Sequence, residues 1–278
     1  MNKISILTLI FALVSMARPA DANAVGFDVL APHRAIYDLK LGEASERSGI
    51  QSITGRIVYE ITGNACEGMA VRYRFVTNIV TSENSYQTDQ QTTTFESPDG
   101  KEFDFLTRTF VDARPEKTIR GTAMRTGDGL EIELTNPNER HLELPDAIFI
   151  STHLTELIDK AREGERFVHH SIYDGSEDAD EVVTGSGVIG EAATYSKALP
   201  GETAAALAPL EGMKAWPVTV SYFEKAADAS AESLPVYEAS FLLYPNGVSR
   251  KLIMRYDDYA LVGNLTGLEM LESSGCKK

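Results

Sequence analysis

Apolar and polar residues alternate in twos through most of this chain, broken at short intervals by turn residues, and that periodicity restricts it to antiparallel β structure. Ile53, Gly55, Ile57, Tyr59 and Ile61 fall on one face of an extended segment; Thr54, Arg56, Val58 and Glu60 fall on the other. A turn is expected at Gly63-Asn64. Val71, Tyr73 and Phe75 then alternate with Arg72, Arg74 and Val76, with Cys66 in the connection. Ser97-Pro98-Asp99-Gly100 separates a Thr-rich strand at 90–95 from another at 103–106, and Gly127-Asp128-Gly129 precedes a strand at 130–134. Asn246-Gly247 lies between runs at 237–244 and 248–256, where Asn-Gly can supply the positive φ angles of a tight hairpin. A last strand, 259–271, carries Cys276 just beyond it.

One stretch departs from this period. Leu154, Leu157, Ile158 and Ala161 recur at helical spacing, Ser151 or Thr152 can cap the start and Gly164 can end it, which predicts one amphipathic helix over 152–163 packed on the sheet. The stretches 199–212 and 174–181 read as loops. Neither separates regions of different composition, so residues 25–278 are expected to form a single, mainly β domain.

Residues 1–24 are set apart as a signal peptide. Met1-Asn2-Lys3 is a short basic start, 4–16 is apolar, and small residues at Ala20, Ala22 and Ala24 offer cleavage after Ala22 or Ala24. No later run is long enough to cross a membrane as a helix. The expected location is therefore an exported, oxidising compartment. The net charge of -15, which loss of the leader makes one unit more negative, argues against nucleic acid or an anionic membrane as partner. Arg56, Arg72 and Arg74 leave room for a local basic patch.

Two cysteines in an oxidising compartment, Cys66 and Cys276, invite a single disulfide. In the chain-entropy picture so long a loop would contribute ~5 kcal/mol. Two free thiols remain the main alternative; a redox pair lacks the C-x-x-C spacing, and zinc lacks neighbouring ligands.

The residue pattern assigns no reaction. Gly185-Ser186-Gly187-Val188-Ile189-Gly190 matches a dinucleotide fingerprint, but no helical stripe opens after it, so a strand with a bend is expected. His33, His141, His153, His169 and His170 have no hydrolase or metal signature around them. His169 and His170 should point to opposite faces of a strand, and His153, near the helix start, is expected to satisfy a backbone group. The acidic run 174–181 lacks calcium-loop spacing, and Trp216 is expected to anchor the core or a sheet edge.

Several segments carry more when taken in order. His33-Arg34-Ala35-Ile36-Tyr37-Asp38-Leu39-Lys40-Leu41, Gly55 to Glu60 followed by Ala65-Cys66-Glu67-Gly68, Tyr173-Asp174-Gly175-Ser176, Trp216-Pro217-Val218 with Ser221-Tyr222-Phe223, and Asn246-Gly247-Val248-Ser249 resemble the bacterial EipB-type envelope integrity proteins. The resemblance implies a long, curved, spiral-like antiparallel sheet, partly closed like a broken barrel, with a disulfide at the positions of Cys66 and Cys276. It implies no catalytic residues and no cofactor.

The expectation is thus a non-enzymatic periplasmic monomer that supports envelope integrity by binding an envelope component or a partner protein through a groove. A carrier of lipid or another hydrophobic ligand is the alternative, and a hydrolase of an envelope polymer working through His153 and scattered carboxylates comes third.

Overall fold

The computed structural model describes residues 25–224, 234–273 and 275–276, so the expected leader and its cleavage sites lie outside the described residues. The alternating segments form β1 (His33–Ala44), β2 (Ile50–Asn64), β3 (Gly68–Thr81), β4 (Ser85–Glu96), β5 (Glu102–Val111), β6 (Arg114–Arg125), β7 (Leu130–Asn136) and β8 (Arg140–Leu144). A helix, α1 (Ile150–Glu163), follows. Beyond it lie β9 (Phe167–Ile172), β10 (Val183–Ile189), β11 (Ala193–Thr194), a short helix α2 (Ala204–Leu207), β12 (Lys214–Phe223), β13 (Tyr237–Leu243), β14 (Ser249–Arg255) and β15 (Tyr259–Met270).

These strands build one antiparallel sheet in the order β8-β7-β6-β5-β4-β3-β2-β1-β15-β14-β13-β12-β10-β9, with β11 attached to β12 off that path. The first and last strands of the chain are neighbours at its middle. The β1–β15, β2–β3, β5–β6, β6–β7 and β13–β14 pairings each contain a register shift, and such bulges or irregularities bend strands and add to their natural twist. The sheet curls without closing into a barrel. Its terminal strands β8 and β9 do not pair, but Ile148, just past β8, makes one parallel bridge to Ile172 at the end of β9. The Ile148 N–H donates to Ser171 O and the Tyr173 N–H to Ile148 O, each at 2.9 Å.

Burial divides the interior into three clusters. One gathers Tyr37, Ile57, Leu242, Met254 and Leu261 from the middle of the sheet; a second places Leu157 and Ile158 of α1 against Ile61, Met69, Val218 and Val220; a third joins Phe103, Phe105, Ile132, Phe149 and Tyr173. Trp216 packs beside the second, as expected of a core anchor.

Four local expectations change. The turn after β2 falls at 65–67, because the Asn64 side chain accepts from the N–H groups of Cys66 (2.8 Å) and Glu67 (2.9 Å) and closes the turn itself. At the 245–247 hairpin only Gly247 has positive φ, 86°, with Pro245 leading the turn; a glycine-ended loop joins the strands rather than a two-residue Asn-Gly turn. Helix α1 begins two residues early, at Ile150, with Phe149 in the cap position, and neither Ser151 nor Thr152 caps it. The stretch 199–212 is not all loop. Thr203 accepts from the Ala206 N–H and fastens α2 to β15 through Leu265 O and Thr266 O, so the described chain has a second, short helix.

A carboxylate from another strand replaces the missing cap of α1. Glu96 at the end of β4 accepts the N–H groups of Ser151 (2.9 Å) and Thr152 (3.2 Å) and the Thr152 hydroxyl. A buried anion at a helix N-terminus is favoured by the unpaired N–H groups there. Burial pushes the Glu96 carboxyl above its ordinary range, while these hydrogen bonds pull it back down. The helix is thereby seated at a fixed point on the sheet.

Candidate ligand cavity

The concave side of the sheet holds a cavity of about 240 Å³ between β1, β2 and β3 and strands β13 and β14, with Leu154 of α1 contributing to its lining. Its wall is aromatic and aliphatic: Tyr37, Ile57, Tyr59, Tyr73, Tyr237 and Met254 all border it. The alternation dictates this. Tyr59 lies directly opposite Tyr73 across β2 and β3, and opposite Ala35 across β1 and β2, and directly opposed residues share a face.

Tyrosines continue from the cavity wall along the sheet. Tyr222 stacks on Tyr237 with ring centroids 5.5 Å apart, Tyr237 lies 5.1 Å from Tyr256, and Tyr256 stacks on Tyr259 at 4.8 Å. This row leads from β13 to the β14–β15 connection.

The hydroxyls behave unequally. Tyr37 donates to Ser249 O at 2.8 Å. Among the described residues no protein group hydrogen-bonds the hydroxyls of Tyr59, Tyr73, Tyr237 or Tyr256, and burial raises all four. These oxygens are not sealed off: the one fully buried side-chain polar atom without a partner among the described residues is His153 Nε2. The free phenols therefore face open space.

Among the described residues no Asp, Glu, Lys or Arg lines the cavity. The one titratable base, His33, spends Nδ1 on Ala31 O at 2.7 Å, and burial lowers its pKa, so it stays neutral. The site is an uncharged apolar space edged with hydrogen-bond donors.

The other histidines scatter. His141 pairs with Glu133 at the surface and His169 meets Ser186, while His170 turns the other way, as the strand period requires. His153 does not satisfy a backbone group. Its Nδ1 lies 3.2 Å from His170 Nδ1, and burial drives its pKa down to about 3. The glycine-rich run is strand β10, hydrogen-bonded on both sides, and offers no phosphate-binding loop. The acidic loop ties back through Lys117–Asp178 (2.8 Å) and Arg140–Asp180 (3.7 Å). Among the described residues no three His, Cys, Asp or Glu converge as a metal site. Arg56, Arg72 and Arg74 form no free basic patch, because Asp38, Glu60 and Asp89 pair with them at 2.7, 3.3 and 2.8 Å.

Cys66, in the β2–β3 turn, and Cys276, past β15, have Cα atoms 5.7 Å apart, within disulfide reach. Sequence reasoning placed Tyr59 and Tyr73 on strand faces but missed the cavity they enclose. The available signal was tyrosine recurring at alternating positions of separate strands.

Fold and site together define a curled, open, β-barrel-like sheet protein, seated on a helix and hollow at its centre. Its relatives give it a family: a model described as EipB-like matches residues 24–272, and the chain belongs to that family. The cell envelope integrity protein EipB of Brucella abortus (strain 2308) is 40% identical over 262 residues, covering 92% of this chain and 91% of that protein. A crystal structure from Brucella abortus, described as a β-barrel-like protein of a domain of unknown function, superposes with a TM-score of 0.81 at 41% identity, covering 87% of this chain and 99% of that one.

Proposed function

We propose that this protein is a non-enzymatic constituent of the periplasm that supports cell-envelope integrity by holding an envelope component in its tyrosine-walled cavity. The family and the relative's name support the envelope role. The observation that carries the binding mode is the half-open space of about 240 Å³ on the concave face, lined among the described residues by no Asp, Glu, Lys or Arg. It favours an apolar ligand and makes the carrier reading the natural second form of the same proposal. Among the described residues no helix is long and apolar enough to cross a membrane. The acidic leaderless chain, expected as a single-domain monomer with Cys66 bonded to Cys276, would work in an oxidising compartment.

The hydrolase reading has less behind it. His153 is 6% exposed, its ring abuts His170, and its lowered pKa marks an imidazole shut away from substrate. Native mass spectrometry of protein recovered without detergent from its own cells tests the proposal. A stoichiometric adduct of lipid-like mass is expected; a bare chain mass, together with unchanged detergent sensitivity of a deletion strain, overturns it.

A further inference from the structure

The free phenols specify the ligand more narrowly than an apolar cavity alone would. Resting on the cavity-binding proposal above, we infer that the site takes a neutral acyl ester: an acceptor-rich, uncharged joint carrying hydrocarbon, received by the unpaired hydroxyls of Tyr59, Tyr73 and Tyr237.

Three observations converge on this chemistry. The rings of these three tyrosines are largely buried but their hydroxyl oxygens reach the space they line, and among the described residues no protein acceptor meets them. A matching ligand must bring oxygen acceptors of its own. Second, among the described residues the wall holds no Lys or Arg, and burial lowers the pKa of its histidine. A carboxylate or phosphate drawn inside would lose its hydration without gaining a counter-charge, so anionic groups are excluded from the interior. Third, the lining also includes Ile57, Leu154, Phe241, Leu252, Ile253 and Met254, which reward hydrocarbon. Ester carbonyls flanked by methylenes satisfy all three conditions at once.

Size agrees. A space of about 240 Å³ takes roughly eight water-sized groups, enough for an ester joint and the first carbons of its chain. The row Tyr237, Tyr256, Tyr259 gives the remaining hydrocarbon an aromatic surface to follow toward the β14–β15 connection.

Calorimetric titration of the full mature protein at pH 7.5 with monodecanoylglycerol and, separately, with decanoate tests the assignment, since the two share a chain and differ in the charge of the head. The ester is expected to bind at least tenfold more tightly than the anion. Tyr73→Phe and Tyr237→Phe are each expected to weaken the ester by roughly three- to tenfold, the worth of one hydrogen bond, while the folded spectrum stays unchanged. Equal or tighter binding of decanoate overturns the neutral-ester assignment and leaves cavity binding standing. Ester binding that is indifferent to both tyrosine variants overturns the role of the hydroxyls. Failure of either compound to bind sinks this assignment and the cavity proposal together.

Discussion

Two aromatic clusters lie on the same curled sheet and are finished in opposite ways. Around Phe103 the rings are packed shut: Phe149 stacks on it at 4.9 Å, Phe105 at 5.8 Å, and Tyr173 meets both edge-on. The Tyr173 hydroxyl donates to Ala179 O at 3.0 Å, so the segment after β9 folds over the rings as a lid and leaves no polar atom idle. Around Tyr59, Tyr73 and Tyr237 the rings enclose empty space, and their hydroxyls find no protein partner among the described residues. Both clusters arise from one alternating pattern. What separates them, among the described residues, is a covering segment, present over the phenylalanines and absent over the tyrosines. The closed cluster is packed for stability; the open one leaves the room on which the proposed ligand binding rests.

The largest effect should come from the closed cluster. Phe103→Ala leaves a cavity among rings that cannot collapse onto it, and is expected to cost about 3–5 kcal/mol in denaturant unfolding. A loss below about 1 kcal/mol would mean that this cluster is no better packed than the tyrosine cavity, and the contrast would fail. The cysteine pair comes next. The double change Cys66→Ser and Cys276→Ser is expected to cost about 2–4 kcal/mol against the non-reduced protein, with ligand binding retained, because the pair borders neither cluster. Free thiols found by alkylation of protein taken from outside the cytoplasm would remove the premise.

The lid itself can be probed. Gly175 has φ of 67°, and a Cβ there would sit 2.7 Å from the Phe105 ring, so Gly175→Ala combines backbone strain with a clash. The expected cost is about 1–3 kcal/mol. Unchanged stability would show that the lid does not press on the rings.

Much of this architecture could be read from the residues, and the reason is physical. Period two forces strands, and the β3 and β15 segments lie where alternation and turn residues place them. Gly164 ended α1 as expected because its φ of 82° suits a residue without Cβ. The start of α1 was not legible, since its cap is Glu96, fifty-five positions away from Ser151. Helix α2 was hidden for the same reason: its fastening to β15 is a tertiary contact. The cavity was half legible. Alternation put Tyr59 and Tyr73 inward, but only the curl of the sheet, set by register shifts far apart in sequence, decides that their hydroxyls end in open space.

Acid should act on neither aromatic cluster first, because burial raises every shifted tyrosine further out of reach. It should act at His153, whose folded pKa lies near 3 against 6.5 in the unfolded chain. Below pH 6.5 the unfolded chain takes up a proton that the folded one refuses, so stability that is complete above 6.5 drains away as pH falls toward 3. The slope is at most about 1.4 kcal/mol per pH unit for this one group. His33 acts in the same direction, while the raised Glu96 opposes it at the acid end. Unfolding midpoints between pH 7.5 and 5.5 should fall, and His153→Gln should flatten that fall. An equally steep fall in the variant would place the acid-sensitive group elsewhere.

The smallest expected effect is the most discriminating. Tyr173→Phe, Tyr73→Phe and Tyr237→Phe each remove a single oxygen from an aromatic ring, so area and shape hardly change between wild type and variant. In the closed cluster that oxygen holds Ala179 O, and its loss leaves a buried carbonyl short of its donor, at a cost of about 1–3 kcal/mol. In the open cluster the oxygen holds no protein group, and removing it should change stability by less than about 0.5 kcal/mol, or raise it slightly. Guanidinium unfolding of the three variants, measured side by side without ligand, reads the difference directly. If Tyr73→Phe and Tyr237→Phe lose as much as Tyr173→Phe, their hydroxyls are already spent within the fold, and no donors remain free for a guest.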